Sequence, residues 1–303
     1  MLWRLAPLSR VHGQDYGGRM FLVTGITGKV GGATARHLLA QGKQVRALVR
    51  DRGKAASWSE RGVELVDGDW TDAASLERAL AGVDGAYVMM PPIMAPSRDF
   101  REARAVIAAH AEAFAKSPPP RLVMLSSWGS ERESGLGTIT STALMEHAFR
   151  ALPFPVVFLR AGGFLENYLH GLHTAQNGTL SVFNPPDRPI PYIATDDIGA
   201  EAARWLTGPV WSGPAIVELG TMLPPRAIAK QLGEVLGRDV EAVMVPREGW
   251  AAAAEHMGIP HGETWAFEEA MDGINSGWLR FGVEGTTRVE ARTTPREVFR
   301  MVR

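Results

Sequence analysis

Between Met20 and Gly32 the chain reads MFLVTGITGKVGG, an apolar run, a glycine-punctuated turn and the start of a helical pattern. Few short stretches restrict a fold so much. An apolar strand that must turn at once into a helix needs residues without side chains where the backbone bends sharply or packs closely. Gly25 is placed to make the bend, Gly28 to let a pyrophosphate approach the backbone, and Gly31 to let the helix lie against the sheet. The helix start then offers free N–H groups and a partial positive charge to an anion. The spacing is GxxGxxG, not the GxGxxG of many NAD dehydrogenases, and a Gly-rich connection can also be only a tight turn.

The 303 residues, 45% hydrophobic, suffice for one large core with a smaller second lobe. A formal net charge of −1, with Lys and Arg dispersed, lacks the basic footprint of a direct nucleic-acid binder. The chain contains no cysteine, which removes disulfides, thiolate metal sites and thiol nucleophiles and is compatible with a cytoplasmic setting. Residues 1–19 lack the apolar centre of a signal peptide and are expected to be a frayed, dispensable extension, with Met20 as the original start. No run is long and apolar enough for a membrane span.

Downstream, short apolar runs alternate with helical patterns. Helical spacing over Gly31–Leu39 ends at Gly42, and QVRALVR supplies a second strand. Further strands are expected at Val63–Asp67, in GVDGAYVMMPP, in RLVMLSS after an alanine-rich helix spanning about Arg98–Lys116, and in VVFLRAG. This pattern predicts a doubly wound parallel sheet of the Rossmann type, buried on both faces. The expected division is a nucleotide-binding domain over 20–165, with 190–220 returning to it, and a substrate lobe from 166–189 and 221–303. Asn184–Pro191 holds four prolines and is expected to be loop. Helices are expected in FLENYLHGLHTAQNG, in IATDDIGAEAARWL with acids in its first turn, over Leu223–Leu236, over Pro246–Ala254 and in TTPREVFRMV.

At the end of the second strand, an acid would bind an adenosine ribose, whereas a base would neutralise a 2′-phosphate. That position is Arg50, followed by Asp51, Arg52 and Lys54, which favours NADP(H) over NAD(H) while leaving Asp51 as a ribose partner for NAD. Asp69, after the third strand, is placed to take the adenine amino hydrogen beside Trp70, or simply to cap the next helix.

Taken in order, TGITGKVGG, ALVR, GDW, YVMMPP, MLSS and LRAGGFLENYL resemble the NmrA-like branch of the atypical short-chain dehydrogenases/reductases, from Met20 to the final PREVF. Within that branch the resemblance is to NAD(P)H-dependent quinone, azo-dye and ergot-alkaloid reductase-like members. It implies a Rossmann domain with a small C-terminal lobe and a nicotinamide between them. By position it implies that Gly25, Thr27, Gly28, Lys29, Val30 and Gly31 cradle the pyrophosphate, that Arg50 meets the 2′-phosphate, and that Asp69 and Trp70 flank adenine. Met90, Pro91, Pro92, Ser126, Ser127 and Ala161–Phe164, including Gly162, would border the ribose and nicotinamide.

One feature of the superfamily is missing. The Tyr and Lys of its YxxxK pair, a general-acid device, fall on Thr138 and Thr142, and a threonine is a poor proton donor near neutral pH. Candidate groups for chemistry are Ser127, Tyr168 and Tyr192, each with a structural alternative: Ser127 can satisfy a neighbouring backbone group, and the tyrosines can be core. Asn167 lies beside Tyr168, and Trp128 and Phe164 could sandwich a flat acceptor or be buried. No histidine spacing, including His170 and His173, makes a metal site, and the Asp196–Asp197 pair is read as helix capping. The expected activity is an NADPH-dependent hydride transfer to a small hydrophobic conjugated, quinone or iminium-like acceptor. The alternative is an NmrA-type nucleotide sensor without turnover. A homodimer or protein partner is left open.

Overall fold

The computed structural model describes residues 18–301, so all but the last two residues of the leader lie outside it. Its strands are β1 Met20–Thr24, β2 Gln44–Val49, β3 Glu64–Asp67, β4 Gly85–Met89, β5 Leu122–Ser127, β6 Val156–Ala161, β7 Gly163–Phe164, β8 Thr179–Val182, β9 Ile190–Ile193, β10 Pro214–Leu219, β11 Thr221–Leu223, β12 Glu241–Met244 and β13 Thr287–Val289. The helices are α1 Lys29–Ala40, α2 Arg52–Ser59, α3 Ala73–Leu80, α4 Arg101–Lys116, α5 Thr140–Phe149, α6 Leu172–Ala175, α7 Thr195–Thr207, α8 Pro225–Leu236, α9 Trp250–His256, α10 Trp265–Ser276 and α11 Pro295–Arg300.

Eight parallel strands form the main sheet in the order β3-β2-β1-β4-β5-β6-β10-β13. Parallel pairing forces each connection across a face, so both faces are covered. Phe21, Val23, Tyr87, Val157 and Leu159 pack with Val30 and Leu38 of α1 and Ile198 and Leu206 of α7. On the other face, Leu22, Val88, Met124 and Phe158 meet Leu76 of α3, Val106 and Phe114 of α4 and Met145 of α5. The doubly wound α/β fold expected from the alternating pattern is the fold observed. Strand order reverses between β1 and β4, which opens a crevice at their carboxyl ends where such folds take ligands. Thr24 ties that crevice together: its hydroxyl donates to the Tyr87 carbonyl at 3.4 Å and accepts from the Met89 amide at 3.2 Å.

Two departures from the sequence-based expectations stand out. The proline-rich Asn184–Pro191 segment is not loop to its end, because Ile190 and Pro191 open β9, the central strand of a small β11-β9-β7 sheet. Its β7 neighbour lies beside Tyr192 and Ile193 only, so the missing Pro191 N–H breaks no pairing on that side. Inside the stretch assigned to the second lobe, β13 instead extends the main sheet as an edge strand on β10. Three residues with Thr287 and Arg288 exposed carry too little apolar pattern to be legible.

The second lobe is held against the loops that follow β4 and β5. A Cβ on Gly137 would lie 1.9 Å from the Ala266 carbonyl oxygen, and one on Gly273 would lie 2.7 Å from that of Gly135, so backbone meets backbone along α10. Trp265, at one end of α10, packs edge-on to Phe100 with Arg98 4.1 Å from its ring; beyond the other end, Arg132 lies 4.0 Å from Trp278.

Candidate functional site

The β1–α1 turn gives each glycine a different task. Gly25 has φ +67°, the left-handed region, and accepts the Gly28 amide at 2.9 Å. A Cβ on Gly31 would stand 2.3 Å from the Gly25 oxygen and 2.7 Å from that of Thr24, so this glycine sets how closely the helix lies on the turn. A Cβ on Gly28 would meet only the Gly25 oxygen, at 3.2 Å, and otherwise enters open space. Thr27, Gly28 and Lys29 form the exposed tip, while Val30 is buried. No side chain caps α1 and its first turn contains no acid, so the positive end of the helix faces the side a ligand would approach. Backbone open to a ligand, a cradle that one methyl group would fill and an uncapped helix start fit a diphosphate.

At the ends of β2 and β3 the polar groups sort themselves. Asp51 caps α2, its Oδ1 accepting from the Gly53 and Lys54 amides at 2.9 and 3.2 Å. Arg52 turns away to Asp67 at 2.6 Å and to the Leu65 carbonyl at 3.0 Å. Arg50 stays exposed, with only a 4.0 Å approach to Asp69. Asp69 is oriented by the Thr71 hydroxyl and amide at 2.6 and 2.9 Å; the hydroxyl bond, more than any other contact, holds its carboxyl below the usual range. Asp69 is thus ionised and braced within an Asx-type turn, and α3 takes its cap from Asp72 instead. Trp70 and Met89 converge on the turn: a Gly25 Cβ would meet the Met89 sulfur at 2.9 Å and the Trp70 ring at 3.4 Å.

Around the expected nicotinamide position, several side chains point elsewhere. Ser126 is buried, and its hydroxyl donates to Glu146 and lies 3.2 Å from the Ser130 hydroxyl, from which it can accept, so it can border a ligand through its backbone only. Met90 is likewise turned into the core beneath β4, and Pro91 is half-buried beside it. Trp128 is packed with Leu136 and Ala143 between the lobes, which leaves no open ring face for a sandwich. Phe164 remains half-buried, and Gly162 lies so close to β9 that a Cβ would meet the Pro191 oxygen at 2.5 Å. Ser127, at the end of β5, is half-buried and its hydroxyl donates to the Trp128 carbonyl at 3.1 Å. Thr138 and Thr142, where the Tyr–Lys pair was expected to fall, sit respectively just before and within the first turn of α5 and are half-buried.

Beneath this end of the sheet lies a network that the sequence reading missed. Arg160, 1% exposed, reaches Glu146, 0% exposed, at 2.6 Å and Glu131 at 3.3 Å, while Arg150 joins Glu146 at 2.6 Å. Burial pushes the Glu146 carboxyl up, but Arg160, Arg150 and Ser126 together hold it below the usual range. One signal was available: an arginine inside the apolar VVFLRAG run must find an acid or leave the core.

The two candidate tyrosines meet. Tyr192 stands in β9 in register with Gly163, two residues beyond the last residue of β6, and its ring lies 3.0 Å from where a Gly163 Cβ would be. Tyr168 arrives from the 3-10 helix Leu165–Gly171, and the two hydroxyls are 2.6 Å apart. Asn167 beside them is exposed. The Asp196–Asp197 pair begins α7 without capping it; Asp196 binds His37 and Arg36, and Asp197 accepts from the Arg292 and Thr293 amides. The cap is supplied from the FLENYL segment, where Glu166 accepts the Thr195 amide and hydroxyl at 2.8 and 2.6 Å. Among the described residues no group of three or more histidines and acids could hold a metal, and no helix is long and apolar enough to cross a membrane.

Comparison with known proteins agrees with this geometry. The (4-alkanoyl-5-oxo-2,5-dihydrofuran-3-yl)methyl phosphate reductase of Streptomyces griseus subsp. griseus is 33% identical over 221 residues, 72% of this chain and 74% of that one. The NAD(P)H azoreductase of Xenophilus azovorans is 28% identical over 251 residues, 82% of this chain and 85% of that one. The crystal structure of Escherichia coli NADPH-dependent quinone oxidoreductase QOR2 complexed with NADPH shares the fold with a TM-score of 0.76 at 22% identity, over 93% of this chain and 99% of that one. The NmrA-like family model matches residues 19–275. With the open α1 start, the β1/β4 crevice and this match over most of its length, the chain belongs to the NmrA-like family.

Proposed function

We propose that this protein is an NADPH-dependent reductase that passes hydride to a small hydrophobic acceptor, a conjugated, quinone or iminium-like molecule held between the two lobes. The observation that carries the reading is the uncapped, acid-free start of α1 behind Thr27, Gly28 and Lys29, beside the exposed Arg50. The engagement of Asp51 as a helix cap and of Arg52 with Asp67 favours NADPH over NADH, because the basic Arg50 is then the group turned to a 2′-phosphate. The activities that name the two relatives, on a conjugated butenolide phosphate and with NAD(P)H on azo compounds, support a flat, electron-poor acceptor.

When bound, a reduced nicotinamide supplies the hydride. The chain's own contribution is binding and orientation. Backbone amides at the start of α1 hold the diphosphate, Arg50 and Asp69 grip the adenosine end, and the β5 and β6 carboxyl ends with Gly162–Phe164 border the reacting ring. Thr138 and Thr142 supply no acid, so positioning carries much of the rate.

The test is an anaerobic screen with NADPH over quinones, azo dyes, imines and enones, following loss of nicotinamide absorbance. Turnover of at least one class, with tighter binding of NADPH than NADH, is expected. Silence across all classes with NADPH binding retained would refute the reductase and support a nucleotide sensor instead.

A further inference from the structure

Resting on the reductase reading above, we infer that the hydrogen-bonded pair Tyr168–Tyr192 is the proton source of the reaction and suits acceptors that leave a strongly basic anion, conjugated carbonyls or azo compounds, over quinones.

The geometry comes first. Tyr192 belongs to the small sheet laid past the carboxyl ends of β6 and β10, where Gly162 accepts no side chain and donates its amide to the Leu219 carbonyl at 2.9 Å. Only a glycine at 163 lets the Tyr192 ring lie so close to the chain leaving β6. Tyr168 leans on it at 5.6 Å between centroids, half-buried where Tyr192 is 5% exposed, and both belong to the cluster that contains Trp128 after β5 and Ala143 beside Thr142. Tyr192 thus stands beside the chain leaving the carboxyl end of β6, with Tyr168 against it.

Hydrogen-bond inventory leaves one proton over. Two hydroxyls bonded to each other use one O–H, and either can be the donor, so the second proton has no acceptor in the pair. With Tyr192, the deeper group, taken as the donor, the Tyr168 proton is left for an acceptor. Burial pushes the Tyr168 phenol up to about 12, and the bond from Tyr192 acts in the opposite sense; Tyr192 is raised further. Both phenols therefore stay protonated near neutral pH, and Tyr168 is the better acid of the two.

Hydride arrival at a carbon or nitrogen of the acceptor brings two electrons, which are taken up at the α-carbon of an enone's enolate or at the second nitrogen of an azo group. The Tyr168 O–H bond breaks, its proton joins that atom, and its electron pair remains on a phenolate held by the Tyr192 hydroxyl. Solvent then returns the proton. The sum is acceptor plus reduced nicotinamide plus one proton giving reduced acceptor plus oxidised nicotinamide. Enolate and nitrogen anions are basic enough to take this proton. A hydroquinone anion is a phenolate, far less basic than a carbanion or a nitrogen anion, so it gains least from a phenolic donor.

Tyr168→Phe and Tyr192→Phe keep the rings and remove one hydroxyl each. In Tyr168→Phe, kcat for an azo dye and for a cyclic enone is expected to fall by about a hundredfold or more relative to its change with a quinone, while NADPH affinity, read by fluorescence, holds. A second reading needs no turnover: p-nitrophenolate bound to the NADP+ complex carries an absorbance band that shifts when a donor meets its oxygen. The shift is expected in the wild type, lost in Tyr168→Phe and reduced in Tyr192→Phe. The same shift in wild type and Tyr168→Phe, or equal kcat effects on all acceptors, overturns the tyrosine assignment. Absence of any wild-type turnover overturns the reductase reading instead, and the two failures are thereby distinguished.

Discussion

Replacing Gly28 by alanine separates a ligand cradle from a merely tight turn. The backbone there, φ −89° and ψ 175°, suits any residue, and the added methyl group meets only the Gly25 oxygen at 3.2 Å, which a few tenths of an ångström relieves. Alanine is a poorer N-cap than glycine by about 0.5–1 kcal/mol, so the melting temperature should fall by only about 1–4 °C. The methyl group, however, stands in the space where a diphosphate would lie against the amides. Loss of one charge-assisted N–H···O bond, worth about 1.5–3 kcal/mol, weakens NADPH binding about ten- to a hundredfold. Gly31→Ala makes the opposite comparison: its Cβ begins 2.3 Å from the Gly25 oxygen, and the helix must retreat by about 1 Å at a cost of about 1–3 kcal/mol. Calorimetric titration with NADPH and thermal melts of both variants provide the assay. A Gly28→Ala protein that binds NADPH as tightly as the wild type would show that no phosphate rests on this backbone, and the functional reading would fall with it.

Other outcomes follow from the same coordinates. Arg50→Gln should weaken NADPH about tenfold with little effect on NADH, and the NADPH affinity of the wild type should fall more steeply with salt; parallel titrations check both. Glu146→Gln leaves the buried Arg160 with Glu131 alone and should destabilise by up to about 3–5 kcal/mol, far more than replacing both residues with apolar ones; denaturant melts measure the difference. His110 is fully buried, and burial lowers its imidazole to about 4, against a bond to the Val106 carbonyl that acts the other way. The unfolded chain thus takes a proton that the folded one refuses as pH falls from 6.5 to about 4, which removes about 3 kcal/mol of stability. His110→Leu should flatten that acid limb in a pH series of melts. Gly137→Ala, at φ +51° and with its Cβ 1.9 Å from the Ala266 oxygen, should detach α10 from the β5 loop, visible as faster amide exchange along 265–276.

Much of the nucleotide half was legible because its signals are local. β1, the turn and α1 are specified within Met20–Ala40 by strand hydrophobicity, glycine spacing and an alanine-leucine stripe, and β2 to β6 announce themselves as apolar runs between helices. The turn geometry was legible where backbone does the work, at Gly25, Gly28 and Gly31. It was less so where side chains do. Ser126 was expected at the ligand, yet its hydroxyl serves a glutamate twenty residues away, and Asp196 and Asp197 were read as caps while Glu166 does the capping.

The sequence alone determined the strand–turn–helix unit, the parallel alternation and the family, because those rest on residues within a turn or two of one another. Only the tertiary structure decided that Arg52 turns to Asp67 and leaves Arg50 exposed, that Arg160 is neutralised by Glu146, that β13 closes the sheet edge, and that Tyr168 and Tyr192 share a hydrogen bond. Each of these depends on groups brought together across fourteen to seventy residues of chain, and no local propensity encodes which partner a buried polar group will find.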